Sequence, residues 1–173
     1  YTVSDGNGGT DTAIVQITVG GTNDPPVANV DSATVLEDSS NNQINVLLND
    51  YDPDGDDIDI TSTTLPSYGT VTYTADYVFY TPDANYNGAD QFTYTISDGQ
   101  GGSDSATVTI TVTAVNDPPI ATDDSVMAIE DSNNNQIDVL GNDNDIDGDD
   151  LDVIGVTQPG HGTATYTIDF VFY

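Results

Sequence analysis

The chain repeats itself, and no other feature limits its possible folds so strongly. Tyr1-Thr2-Val3-Ser4-Asp5-Gly6 returns as Tyr94-Thr95-Ile96-Ser97-Asp98-Gly99, and Asn23-Asp24-Pro25-Pro26 returns as Asn116-Asp117-Pro118-Pro119. Both move by 93 positions, from 1 to 94 and from 23 to 116. The same displacement carries Leu36-Glu37-Asp38 onto Ile129-Glu130-Asp131 and Tyr77-Val78-Phe79-Tyr80 onto Phe170-Val171-Phe172-Tyr173. A period of that length marks tandem domains rather than one large core. The expected division is the tail of one repeat at 1–22, a whole repeat at 23–115 and the first part of a third at 116–173. Two origins fit such a window: a cut from a longer array, or chains that complete one another's domains.

Inside a repeat the hydrophobic period is two. Ala106, Val108, Ile110 and Val112 alternate with threonines, and Phe92, Tyr94 and Ile96 alternate with Thr93 and Thr95, the pattern of half-buried strands. Similar runs cover Ser32 to Leu36, Gln43 to Leu48, Ile58 to Thr63, Thr70 to Thr74 and Tyr77 to Thr81, parted by Gly, Pro, Asn and Asp turns. That makes seven strands, A to G, and no helix. Residues 1–22 would carry strands F and G, and 116–173 strands A to E. The expected fold is all-β, an immunoglobulin-like antiparallel β-sandwich, although the Cys and Trp of antibody domains are missing. The Pro pair in each linker fixes φ twice and leaves little slack between domains.

Charge narrows the functions. The sequence has 30 acidic residues, no Lys, no Arg and no Cys, for a net charge of -30. Without cations it cannot neutralise phosphate, so no nucleic-acid partner and no direct membrane binding are expected. Without Cys or Lys, thiol and Schiff-base chemistry are excluded. Nothing marks a carboxylate pair as catalytic, so the chain reads as no enzyme. His161 stands where the preceding repeat has Tyr68, and a surface turn residue is expected there.

If successive strands run up and down, loop position follows from parity. Glu37 and Asp38 (A-B turn), with Asp83 and Asp90 (E-F), face the following linker, Asn116-Asp117. Asp145 and Asp147, in the next repeat's B-C loop, face back toward it. Carboxylates gathered this closely repel unless neutralised. With no basic side chain available, a hard cation is the expected partner, and Ca²⁺ accepts six to eight oxygens of this kind. By the repeat, Asn23, Asp24, Asp52 and Asp54 form the preceding junction, and Glu130 and Asp131 face the next. Asp50-x-Asp52-x-Asp54-Gly55 and Asp143-x-Asp145-x-Asp147-Gly148 resemble the opening of an EF-hand loop. Thr61 and Ile154 stand where its closing Glu belongs, so an EF-hand proper is ruled out, while Asp50 and Asp143 stay among the candidate ligands. Asp98 and Asp104, in the glycine-rich F-G turn, are weaker candidates beside a plain hairpin reading.

With Asn-Asp-Pro-Pro, Leu-Glu-Asp and Tyr-Thr-x-Ser-Asp-Gly-x-Gly-Gly in place, the chain resembles the cadherin-like tandem repeats of large bacterial surface adhesins. It is also similar to their VCBS-type and Ig-like modules. The resemblance implies an extracellular, secreted or cell-surface location and a non-enzymatic rod or filament stiffened by Ca²⁺. By similarity to cadherins, the A-B Glu, the linker Asn-Asp and the B-C Asp-x-Asp would be junction ligands. The expected partners are neighbouring repeats of the same or an identical chain, with surface glycans or other cells as adhesive targets. Two alternatives are a Ca²⁺-dependent carbohydrate-binding module and a filament built by inter-chain strand complementation.

Overall fold

A computed structural model describes residues 1–173. Seven strands build the middle repeat: β3 (Asp31–Leu36), β4 (Asn42–Ile44), β5 (Asp59–Thr63), β6 (Gly69–Tyr73), β7 (Val78–Pro82), β8 (Gly88–Ser97) and β9 (Ser103–Thr113). They form one sheet in the order β3-β9-β8-β5 and a second in the order β4-β7-β6. The two inner faces meet in a core of 13 buried residues. Val35, Ile60, Phe92, Tyr94, Ile96, Ala106, Val108, Ile110 and Val112 come from the first sheet. Ile44, Val78 and Tyr80 come from the second, and Val46 from the turn after β4. This is the sandwich that the period-two pattern implies. Each fully buried aliphatic side chain contributes about 1.5–3 kcal/mol relative to exposure.

Strand B departs from expectation. Only Asn42–Ile44 pair as a strand, and Val46–Asn49 wind into a 3-10 turn. Val46 thereby stays fully buried while Leu48 turns outward. The apolar run is denser than strict alternation, and the turn disposes of its surplus.

The first and last strands of the repeat run parallel: β3 pairs with β9 from Asp31↔Val108 to Leu36↔Thr113. Parallel ends require an even number of reversals in the up-and-down path, as the six turns between seven strands provide, so the parity of the loops holds. A-B and E-F turns lie at one end of the sandwich, B-C and F-G turns at the other.

Outside the middle repeat, β1 (Thr2–Ser4) and β2 (Thr10–Thr12) form a hairpin. Its Thr2↔Thr12 register matches Thr95↔Ser105 one period on. In the third repeat only β10 (Gln136–Ile137), β11 (Thr165–Tyr166) and β12 (Val171–Phe172) form. They reproduce the β4-β7-β6 sheet as β10-β12-β11. Strands A and C, also expected there, are absent. In the middle repeat those strands pair with β9 and β8, whose positions one period on fall after residue 173.

Candidate metal centre at the repeat junction

The junction between 23–115 and 116–173 is assembled from four stretches of chain: the A-B turn, the E-F loop, the linker and the next B-C loop. Glu37, in the A-B turn, is buried at 3% exposure. Its Oε1 accepts the Val115 amide at 2.5 Å and its Oε2 accepts Asn87 Nδ2 at 3.4 Å. Beside it Asp38 adopts φ 57°, a left-handed turn position that Asp tolerates, and its Oδ1 accepts the Asn85 amide at 3.0 Å. The A-B turn is thus tied both to the E-F loop and to the start of the linker.

From the other side, Asp147 Oδ2 accepts the Asp117 amide at 2.7 Å. The B-C loop holds its own shape around Asp145, whose Oδ1 accepts the amides of Asp147 at 2.9 Å and Asp149 at 3.3 Å. Asp117 sits in the middle. Loss of solvation, followed by the charges of Asp38, Asp147, Glu37 and Asp145, pushes its carboxyl above the ordinary aspartate range. Its Oδ2 is buried with no hydrogen-bond partner. Asn116 Nδ2 turns to the Asp117 carbonyl at 2.9 Å, which leaves the Asn116 side-chain oxygen available.

The preceding junction repeats this geometry. Asp54 Oδ2 accepts the Asp24 amide at 2.7 Å, and Asp52 Oδ1 accepts the amides of Asp54 at 2.8 Å and Asp56 at 3.4 Å. Asp52 Oδ2 is also buried and unpartnered. One carboxylate oxygen from each of Asp52, Asp54 and Asp56 lies within 4.8 Å of the others, close enough for one ion. Two buried acceptors without donors, in a set made entirely of oxygen, fit a hard cation such as Ca²⁺.

The triplet that clusters is Asp52-x-Asp54-x-Asp56, two positions along from the Asp50-x-Asp52-x-Asp54 read in the sequence. Asp50 turns inward, where its Oδ1 accepts the Asn29 amide at 2.7 Å and its Oδ2 the Tyr94 hydroxyl at 2.8 Å. Burial raises the pKa of Asp50 and likewise of Asp31, which is coupled to the same tyrosine. Asp143 keeps half of that arrangement, accepting the Thr122 amide at 2.8 Å. Asp56 therefore belongs to the group that could hold an ion, and Asp149 repeats its amide contact one period on; the motif reading missed both. The continuing alternation of Asp through position 56 was the available signal. Asn87 was missed because it carries no charge.

In the F-G turn, Asp98 is an anchor. Its Oδ2 accepts Asn23 Nδ2 at 2.8 Å, while Oδ1 accepts the amides of Gln100 at 2.7 Å and Gly102 at 2.9 Å. The Asn23 contact, with those amides, holds its carboxyl below the ordinary range. Gln100 Nε2 reaches Asp56 Oδ2 at 2.6 Å, so the turn touches the acidic triplet through an amide. Asp104 binds the Ala28 amide at 2.9 Å, away from the triplet. Asp90 is buried in the sandwich. Burial would raise its pKa, but the amides of Ser67, Gln91 and Tyr68 and the Tyr80 hydroxyl outweigh this and hold it low. Glu130 and Asp131 are exposed, with Asp131 at φ 60° repeating the turn of Asp38.

A family model described as a bacterial Ig domain matches the chain twice, at residues 23–111 and 116–172. The chain belongs to the bacterial Ig domain family. No curated protein matches it. Among solved structures, an endo-fucoidan hydrolase of glycoside hydrolase family 107 is similar in two forms, each 21% identical over 92% of this chain at a TM-score of 0.42. The bacterial Ig chain spans about a quarter of those structures, 26% and 25% of their length. The second family match begins at Asn116, next to Asp117, which the charges of both repeats act on. No helix of the chain is long and apolar enough to cross a membrane.

Proposed function

We propose that this chain is a non-catalytic structural repeat of a cell-surface or secreted fibre, in which Ca²⁺ bound at each junction locks one Ig-like domain onto the next. The observation that carries this is Asp117: four further carboxylates from separate loops surround it and one of its oxygens is buried without a donor. No side chain of this protein other than the single His can offer a positive charge. Glu37, Asp38, Asn116, Asp117, Asp145, Asp147 and Asp149 would hold the ion. The ion would supply the positive charge that the linker lacks and would pin the loops of both domains to it.

Titrating Ca²⁺ into chelator-treated protein should release heat, raise the melting temperature and narrow the distribution of end-to-end distances seen by small-angle scattering. Asp117→Asn should weaken binding at this junction about tenfold or more, equivalent to about 1.4 kcal/mol. It should also leave the ion-free protein no less stable, because it removes a repelled charge. Unchanged melting and scattering in excess EDTA would overturn the reading.

A further inference from the structure

We infer that the middle repeat pairs side by side with a second copy of this chain, through the free edge of β6. This goes beyond the junction reading and does not depend on it. β6 lies at the end of the β4-β7-β6 sheet and pairs with β7 alone. The Thr74 amide donates to the Tyr77 carbonyl and the Asp83 amide to the Tyr68 carbonyl, so the even-numbered residues of β6 face β7. By antiparallel alternation the N–H and C=O groups of Gly69, Val71 and Tyr73 point to the opposite edge, where no strand is paired. β5 closes on that edge only past its end, where the Ile60 amide donates to the Ala75 carbonyl at 2.9 Å.

The third repeat shows what such an edge accepts. Ala164 stands one period after Val71. Gln158 Nε2 donates to the Ala164 carbonyl at 2.8 Å, and the Ala164 amide donates to Gln158 Oε1 at 3.1 Å. A side-chain amide thus occupies that edge as the peptide group of a neighbouring strand would. In the middle repeat the position of Gln158 is held by Leu65, which is 84% exposed and whose side chain has neither donor nor acceptor. The edge that Gln158 closes in one repeat is open in the other.

Charge and register select a second copy as the occupant. Ile60 to Ala75 contains no charged residue, in a chain with 30 carboxylates. Exposed edges are commonly protected from pairing by charged side chains, and here that protection is missing where two polyanions would have to approach. A cationic strand would find no carboxylate to meet along this stretch. The edge is also self-complementary. Antiparallel pairing about Val71 sets Val71 against Val71 of the second copy and Gly69 against its Tyr73, and each pair exchanges N–H···O=C bonds in both directions. An aromatic side chain opposite a glycine covers backbone that the glycine leaves bare. The product is one continuous sheet, β4-β7-β6 running on into its copy, with the two chains joined flank to flank.

Sedimentation equilibrium of the full 173-residue chain tests this, in EDTA to remove ion bridges between carboxylates and in about 1 M NaCl to screen repulsion beyond about 3 Å. A monomer–dimer equilibrium is expected. Hydrogen exchange should slow with rising concentration at the amides of Gly69, Val71 and Tyr73, but not at those of Thr70 and Thr72. Leu65→Gln transplants the cap of the third repeat and should weaken dimerisation about tenfold or more, with no loss of monomer stability. Val71→Pro removes an N–H that points away from β7 and so spares the β6–β7 bonds; it should weaken dimerisation at least as much. A chain that stays monomeric at every concentration, or a dimer that both variants leave unchanged, overturns the inference. A chain that stays monomeric yet binds a synthetic peptide of residues 67–75 at this edge also overturns it, and assigns the edge to an extended segment of another protein. Because Ca²⁺ is absent throughout, the result stands apart from the fate of the junction reading.

Discussion

Residues 23–115 and 116–173 carry the same pattern one period apart, yet the first makes a full sandwich and the second makes half of one. The half that survives is informative. Strands β10, β12 and β11 keep the registers of β4, β7 and β6, with Ile137↔Val171 standing for Ile44↔Val78 and Tyr166↔Val171 for Tyr73↔Val78. These three pair only among themselves, so they need nothing from beyond the segment. In the middle repeat β3 and β5 are held in their sheet by bonding to β9 and β8, and their equivalents at 124–129 and 152–156 form no strand. Alternating sequence is a licence to pair, and the ladder forms only when a partner edge is present.

Supplying that edge is the strongest test of the comparison. Extending the chain after Tyr173 with a copy of residues 81–115 should convert 124–129 and 152–156 into strands. Their amides should slow in hydrogen exchange by about a hundredfold or more, while those of the middle repeat stay as they were. Unchanged exchange in these segments would mean that the third repeat differs from the second by more than its missing partners.

A smaller effect separates equivalent core positions. Ile110 is fully buried in β9, whereas Ile17, one period earlier, is 78% exposed. Ile110→Ala should cost the middle repeat about 3 kcal/mol in denaturant unfolding. Ile17→Ala should change it by less than about 0.5 kcal/mol.

Asp90 separates a structural carboxylate from the junction carboxylates. Asp90→Ala should destabilise the middle repeat by about 2 kcal/mol, because it strips acceptors from the Ser67 and Tyr68 amides and the Tyr80 hydroxyl. Since its folded pKa is depressed, the stability it contributes is present above the ordinary aspartate pKa and is lost as pH falls through the lower folded value. The acid limb of a pH-stability curve should therefore flatten in the variant. Asp117 has the opposite sign: its raised pKa makes its charge a cost at neutral pH in the absence of an ion, and protonation relieves it.

The smallest effect concerns two equivalent glycines. A Cβ on Gly102 would meet the Asp98 carboxylate and approach Pro25 Cα to 2.8 Å, whereas on Gly9 it meets only the flexible Asp5 side chain. Gly102→Ala should cost about 1 kcal/mol and loosen the Asn23 contact, while Gly9→Ala should cost less. Thermal melting of both variants compares them directly.

Much of this was legible before any coordinates. The alternation in Ala106–Val112 and Phe92–Ile96 located the two longest strands, and the parity of seven strands placed Glu37, Asp38, Asp117, Asp145 and Asp147 at one end. The B strand was legible only in part, because a run as apolar as Ile44–Leu48 does not announce that a 3-10 turn will split it. The B-C loop motif was recognised but misaligned by two residues. Asp50 and Asp52 look alike in a D-x-D string, and only the backbone path sends Asp50 to Tyr94 while Asp52 turns to the amides of its own loop.

The sequence by itself determined the period, the all-β alternation and the lack of any Lys or Arg to offset 30 carboxylates. Those are local or additive properties, readable from spacing and from counting. Tertiary structure decided which carboxylates meet, which are spent on amides and which keep an oxygen free. That depends on pairing register and loop path: Glu37 touches Val115 and Asp117 touches Asp147 because strands bring them together, across intervals that no local pattern spans.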